Sequence, residues 1–90
     1  MIKFEVVLQT QPKKYYQKVD SKTAKTLEKC FGDLEDNPFY KPGKIKRMKG
    51  RVKLFRYTLN GLRVVYEVSV ENKKVGVLLI GPRGDIYKKI

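Results

Sequence analysis

Apolar and polar residues alternate at the start of the chain and then change to helical spacing. The alternation from Met1 to Leu8 predicts a β-strand with one buried face. Farther along, apolar residues recur every three or four positions and predict a helix with one apolar stripe, formed by Ala24, Leu27, Phe31 and Leu34. Asp20 or Ser21 can cap this helix, and Asn37-Pro38 ends it. Pro12 favours the first turn of a shorter helix before it.

The second half of the chain has a period of two. Asn60-Gly61 favours a two-residue hairpin turn, and it separates a predicted strand over 52–57 from a longer one over Leu62–Val70. A third strand over Val75–Ile80 is apolar on both faces, which indicates a central position, and Gly81-Pro82 is predicted to end it.

These elements predict an α+β fold in a single domain over residues 1–90. The order is an N-terminal strand, a two-helix hairpin and then a three-stranded antiparallel meander. The strands are expected to form one twisted sheet with the helices on one face.

Composition limits the chemistry that the chain can perform. It has 21 Lys and Arg, 9 Asp and Glu, no His and a single cysteine, Cys30. Imidazole acid–base catalysis, His-based metal sites, internal disulfides and cysteine zinc clusters are therefore excluded, and we expect no metal and no cofactor. The longest apolar run, Val77–Ile80, is far shorter than the ~20 residues of a membrane span. The alternation over Met1–Leu8 is not that of a signal peptide, so we expect a cytoplasmic protein.

The net charge of +12 is unevenly distributed and indicates a polyanionic partner. No acidic residue occurs between Asn37 and Tyr66. Cations on such a surface neutralise successive phosphates and release counterions, which predicts RNA binding by Lys44, Lys46, Arg47, Lys49, Arg51 and Lys53. The alternatives are a solvated loop or a lysine-rich surface that serves stability, although the latter usually interleaves Glu with Lys. Pro42 and Gly43 disfavour a membrane-surface helix.

Two arginines flank the predicted hairpin turn. A turn at Asn60-Gly61 places Thr58 opposite Arg63, with Arg56 as a diagonal neighbour on the same face. Two cations there repel one another unless an anion lies between them. The structural alternative is a salt bridge from Arg63 to Glu67.

Arg83 and Tyr87 form a third candidate group in the segment GPRGDIY, which follows the last strand. The structural alternative is that Tyr87 packs into the core and Arg83 pairs with Asp85. Acidic residues at the end of the second helix, namely Asp33, Glu35 and Asp36, are expected to be solvated. Cys30 lies beside the apolar stripe and is expected to be an inert small residue.

The segments NPFYKPGKIKRMKG, FRYTLNGLRVVYEV and LLIGPRGDIYK resemble, in this order, the RelE/ParE superfamily of type II toxins. The resemblance covers essentially the whole chain and is greatest to RelE-like ribosome-dependent mRNA endonucleases. It implies a toxin that docks in the ribosomal A site, contacts rRNA and cleaves the mRNA there. It also implies a cognate RelB-like antitoxin as partner.

The same resemblance implies roles for individual residues. Arg63 and Arg83 match arginines that clamp the scissile phosphate, Arg56 matches a further basic position, and Tyr87 matches a tyrosine that stacks or transfers a proton. The family's lysine, its candidate general base, is replaced by Leu54. The base therefore remains open among Tyr87, Lys49 and Lys46. A ParE-like DNA gyrase poison and a non-catalytic RNA-binding relative are the alternative functions.

Overall fold

A five-stranded mixed sheet and two helices make up the computed structural model, which describes residues 3–39, 41–47, 54–59 and 61–82. In chain order the elements are β1 Glu5–Leu8, α1 Thr10–Lys18, α2 Ser21–Asp36, β2 Ile45–Arg47, β3 Leu54–Leu59, β4 Leu62–Ser69 and β5 Lys74–Pro82. The strand order across the sheet is β1-β5-β4-β3-β2. β1 runs parallel to β5, and the remaining neighbours are antiparallel.

The second helix begins where the sequence predicts, and the first begins at Thr10, two residues before Pro12. The Asp20 side chain accepts a hydrogen bond from the backbone N–H of Thr23 and so caps α2. At the other end, the backbone N–H of Asn37 donates to the carbonyl of Asp33. Pro12 lies in the first turn of α1, as predicted, and is buried.

One apolar core lies between the helices and one face of the sheet. The apolar stripe of α2 supplies Leu27, Cys30 and Leu34, which pack against the sheet side chains Tyr57, Leu59, Val64, Tyr66, Val68, Val75, Val77 and Ile80. Since burial of each such side chain contributes about 1.5–3 kcal/mol, this layer holds the sheet to the helices. Burial also raises the pKa of the Cys30 thiol, which leaves it protonated and unreactive at neutral pH.

The predicted fold class is confirmed, including the helices on one face, and β5 lies in the interior of the sheet, between β1 and β4. The sheet has one strand more than predicted, because the basic run contributes β2 at the edge. Gly43, with φ 73°, turns the chain, and the N–H of Thr58 then donates to the carbonyl of Lys44. β2 consists of three residues, of which only Ile45 is apolar. So short a segment shows no alternation of apolar and polar residues from which a strand could be predicted.

The strand ends differ from the predictions in two places. The first strand begins at Glu5, although Phe4, Val6 and Leu8 do face the core as predicted. Gly81-Pro82 does not end the last strand, since β5 continues to Pro82. Pro82 pairs with Leu62 at the very end of the ladder, where a missing N–H costs no interior hydrogen bond.

Gly61 has the positive φ, 83°, that the predicted hairpin turn needs. Asn60, the other residue of this turn, lies outside the described residues.

No helix among the described residues is long and apolar enough to cross a membrane.

Candidate nucleic-acid interface

Pairing of the strands gathers basic side chains on the sheet face opposite the helices, which we call the outer face. It carries the residues that alternate with the core positions, namely Lys46, Leu54, Arg56, Thr58, Arg63, Val65 and Glu67. Lys46 lies directly opposite Arg56 on the neighbouring strand. Arg63 lies opposite Thr58, as the sequence predicts, so Arg56 is its diagonal neighbour. Three cations from three adjacent strands therefore share one face.

Arg63 is held against the sheet with part of its hydrogen-bonding capacity unused. Its side chain is half-buried, and Nη1 donates to the Leu62 carbonyl at 3.4 Å. Its Nε is buried and has no hydrogen-bond partner among the described residues. A buried N–H without an acceptor costs about 1–3 kcal/mol, which a shift of the guanidinium toward an acceptor such as a phosphate oxygen would recover.

The salt bridge between Arg63 and Glu67, offered above as the structural alternative, does not form. Glu67 is exposed and leans over the neighbouring strand, where its Oε1 would lie 3.5 Å from a Cβ added at Gly76. The charge on Arg63 is therefore not neutralised by Glu67, which lies on the same face and the same strand.

Leu54, which by the resemblance replaces a lysine, lies at the start of β3. It faces Glu67 across the ladder and is half-buried. The outer face therefore has an apolar group at this position.

The described residues of the basic run, Lys44, Lys46 and Arg47, lie on different surfaces of the protein. Lys46 alone of its described members belongs to the outer face. Arg47 pairs with Phe55 and lines a cavity with Phe39 on the helix side of the sheet. Lys44 borders a different pocket, beside α2. Alternation along a strand explains the division, because neighbouring residues point to opposite faces.

Half of the candidate residues lie outside the described part of the chain. These are Lys49, Arg51, Lys53, Arg83 and Tyr87. Among the described residues, no group of three or more His, Cys, Asp and Glu side chains could hold a metal ion.

Asp33 was expected to be solvated, but it anchors the segment that leads into β2. One carboxylate oxygen accepts from Lys41 Nζ at 2.8 Å and from the Tyr57 hydroxyl at 2.6 Å. Partial burial alone would raise the pKa of this carboxyl, but the hydrogen bonds from Lys41 and Tyr57 outweigh it and hold the pKa below its usual value. Burial and the bond to Asp33 raise the pKa of Tyr57, so that its hydroxyl remains a donor.

A second tyrosine holds the same segment. The buried hydroxyl of Tyr66 donates to the Pro38 carbonyl at 2.6 Å, and burial raises its pKa. Asp33, Tyr57 and Tyr66 thus fix the path of the chain before Lys46 and so help to place it opposite Arg56. Sequence reasoning missed this role, because the partners are 24 and 28 residues apart and no local pattern links them.

The sequence matches a family model over residues 6–87, which is nearly its whole length. The model describes the ParE toxin of the type II toxin–antitoxin system parDE. A search of curated protein sequences gives no match.

Solved structures with the same fold include toxins alone and toxins bound to antitoxins. The RelE–RelB complex of Pyrococcus horikoshii OT3 matches with a TM-score of 0.79 and 24% identity, covering 91% of this chain and 97% of that one. The RelBE2 complex of Mycobacterium tuberculosis matches with a TM-score of 0.73 and 22% identity, covering 91% and 100%. The isolated E. coli RelE toxin matches with a TM-score of 0.75 and 22% identity, covering 96% and 93%. At these identities the likeness shows a shared fold.

Proposed function

We propose that this chain, which belongs to the ParE toxin family of type II toxin–antitoxin systems, is a ribosome-dependent mRNA endonuclease. The observation that carries the proposal is the outer face, where Arg63, whose Nε has no partner among the described residues, lies beside two further cations. An RNA phosphate is the kind of anion that such a group accepts.

The proposed reaction needs no external nucleophile. The 2′-oxygen of the mRNA attacks the adjacent phosphorus, a 2′,3′-cyclic phosphate forms, and the bond to the 5′-oxygen breaks. One group must take the 2′-OH proton and another must protonate the leaving oxygen. The extra negative charge on the phosphorane is the part of the transition state that arginines stabilise best.

Individual residues then take the following proposed roles. Arg63 and Arg83 hold the non-bridging oxygens of the phosphate, and Arg56 assists them. Tyr87 stacks on a base or transfers a proton. The backbone on either side of the cut is held by the basic residues Lys44, Lys46, Lys49, Arg51 and Lys53. Arg47, which points to the helix side of the sheet, contributes less to this contact.

Leu54 leaves the proton-transfer step to another residue. Lys46, Lys49 and Tyr87 are the candidates, and Lys46 is the one whose position is described, opposite Arg56. An unprotonated lysine amine is a chemically suitable general base for the 2′-OH proton.

The proposal includes the partners. A cognate RelB-like antitoxin neutralises the toxin, in keeping with the toxin–antitoxin complexes that share the fold. The toxin binds in the ribosomal A site, where it contacts the mRNA, and its basic residues contact rRNA. It acts in the cytoplasm.

A second function, poisoning of DNA gyrase, is favoured by two observations. The matching family model describes ParE, and Leu54 removes the family's candidate base. A gyrase poison needs a binding surface but no acid–base groups, so the outer face alone does not separate the two functions.

Two parallel assays with the purified chain separate them. Translating ribosomes with a defined mRNA report cleavage, and a DNA supercoiling reaction reports gyrase inhibition. We expect cleavage within the mRNA and normal supercoiling, and Arg63→Ala should remove the cleavage. Inhibition of supercoiling with intact mRNA would establish the gyrase poison instead. RNA binding without either effect would indicate a non-catalytic relative.

A further inference from the structure

A small pocket lies beside the outer face, on the other side of the sheet edge. It opens between α2 and the end of the sheet formed by β2 and β3, with a volume of about 270 Å³. Lys29, Lys41 and Lys44 line it, together with Asp33 and Tyr57. We call it the α2 pocket.

The α2 pocket carries an excess of positive charge. Its three lysines face a single carboxylate, that of Asp33, which leaves two positive charges in excess. Asp33 is already engaged by Lys41 and Tyr57. Lys29 and Lys44 are exposed, and neither forms an ion pair with any residue of the described ranges.

The α2 pocket is connected to the outer face through Lys44. The backbone of Lys44 is hydrogen-bonded to Thr58 at 2.9 Å, and Thr58 lies opposite Arg63 on the outer face. Lys44 thus stands where the edge of the sheet separates the two surfaces. An RNA backbone that runs from the cations of the outer face across this edge would reach Lys44 first and then Lys29.

The dimensions and the charge of the α2 pocket suit a phosphate group. Its volume is several times the ~30 Å³ that a water molecule occupies in the liquid, so a phosphate can enter with its oxygens among the ammonium groups. The lysine ammonium is a compact point charge that binds phosphate without demanding a fixed orientation. This favours contact with an RNA backbone over recognition of a base.

We propose that the α2 pocket is a second phosphate site, which holds RNA backbone that continues from the outer face around the edge of the sheet. The inference rests on the proposed function, because that function places RNA on the outer face. Lys29 is the residue that distinguishes the two sites, since it lies on α2 and takes no part in the outer face.

The test uses two RNA probes in which every 2′-hydroxyl is methylated, so that they cannot be cleaved by 2′-oxygen attack. One is short, about 4 nucleotides, and covers the outer face alone, whereas the other is about 16 nucleotides long. Affinity is measured by fluorescence anisotropy over a range of salt concentrations. The variants are Lys29→Gln, the double variant Lys29→Gln/Lys44→Gln and the control Lys13→Gln on α1.

For the long probe, we expect Lys29→Gln to reduce the slope of log K against log salt by about 0.7, and the double variant by about 1.4. The short probe should bind to Lys29→Gln as it binds to the unmodified protein. Lys13→Gln should leave the slope for both probes almost unchanged.

Equal slopes for Lys29→Gln and Lys13→Gln with the long probe would overturn the proposal. A second contrary result would be that poly-glutamate binds to the unmodified protein more tightly than to Lys29→Gln, whereas RNA binds to both equally. The α2 pocket would then be a site for an acidic peptide. Failure of the proposed function has a different signature, namely that Arg63→Ala leaves binding of the short probe unchanged. No cleavage is measured, so a loss of catalysis does not affect the result.

Discussion

At the scale of single residues, Arg63 is the described residue on which the proposed chemistry most depends. Its place beside the hairpin turn and its face of the sheet are predictable from the spacing around Asn60-Gly61 alone. The burial of its Nε without a described partner is not predictable, because it depends on how the neighbouring strands pack.

Arg63→Ala is therefore expected to reduce cleavage on ribosomes by about 10²–10³-fold without destabilising the fold. The reason is that Arg63 gives up only one long hydrogen bond, from Nη1 to the Leu62 carbonyl at 3.4 Å, and its Nε has no partner among the described residues. Single-turnover cleavage and urea unfolding measure the two quantities. Loss of activity and stability together would show that Arg63 has a structural role. Arg63→Lys keeps the charge but loses the paired N–H donors of the guanidinium, so it should retain an intermediate rate.

Tyr66→Phe tests the buried anchor of the segment before β2. Removal of the hydroxyl leaves the Pro38 carbonyl without its 2.6 Å hydrogen bond, which should reduce the free energy of unfolding by about 1–3 kcal/mol. The control is Tyr16→Phe, whose hydroxyl donates to Glu28 at an exposed site and should matter much less. Equal urea midpoints for the two variants would show that the buried bond contributes nothing.

Asp33 makes stability depend on pH. Its pKa is held below the usual value, so its contribution is complete above about pH 4 and is lost as the pH falls through its folded-state pKa. In Asp33→Asn this loss disappears. The difference in urea midpoint between the two proteins should therefore be larger at about pH 7 than at about pH 3. A difference that stays constant between these values would show that the charge of Asp33 plays no part.

At the scale of elements, the helices and the long strands follow from the sequence because each has its own period and its own ends. β2 does not, since three residues with one apolar side chain give too short a pattern to recognise. It exists because β3 offers a free edge and Gly43 turns the chain back towards it. Because β2 was not predicted, the sequence also did not predict that the described residues of the basic run would lie on different surfaces.

Two glycines should respond in opposite ways to replacement by alanine. Gly32 lies inside α2 with open space around the added Cβ, so Gly32→Ala should stabilise the protein by up to about 1 kcal/mol. Gly61 has φ 83°, which alanine rarely adopts, so Gly61→Ala should destabilise it by about 1 kcal/mol or more. Thermal unfolding of both variants checks the pair. Similar shifts in the same direction would contradict the assigned backbone conformations.

At the scale of the whole molecule, the net charge of +12 predicts association governed by phosphate contacts. The charge and the acid-free stretch were readable from the sequence, but which cations share a surface was not. That depends on strand register, which places Lys46 beside Arg56 and directs Arg47 to the opposite face.

Lys46 and Arg47 consequently form a matched pair for a binding experiment. With the short methylated RNA probe, Lys46→Gln should reduce the slope of log K against log salt by about 0.7, because it removes one contact on the outer face. Arg47→Gln should change it less, since Arg47 lines the cavity beside Phe39. Identical slopes for the two variants would mean that the probe does not distinguish the faces.

The central claim is that the outer face cleaves mRNA on the ribosome. The most direct measurement is primer extension on a defined mRNA in translating ribosomes, with the purified chain beside its Arg63→Ala variant. We predict a new 3′ end within the A-site codon for the unmodified protein and none for the variant. Intact mRNA with folded protein, or the same cut with Arg63→Ala, would contradict the account.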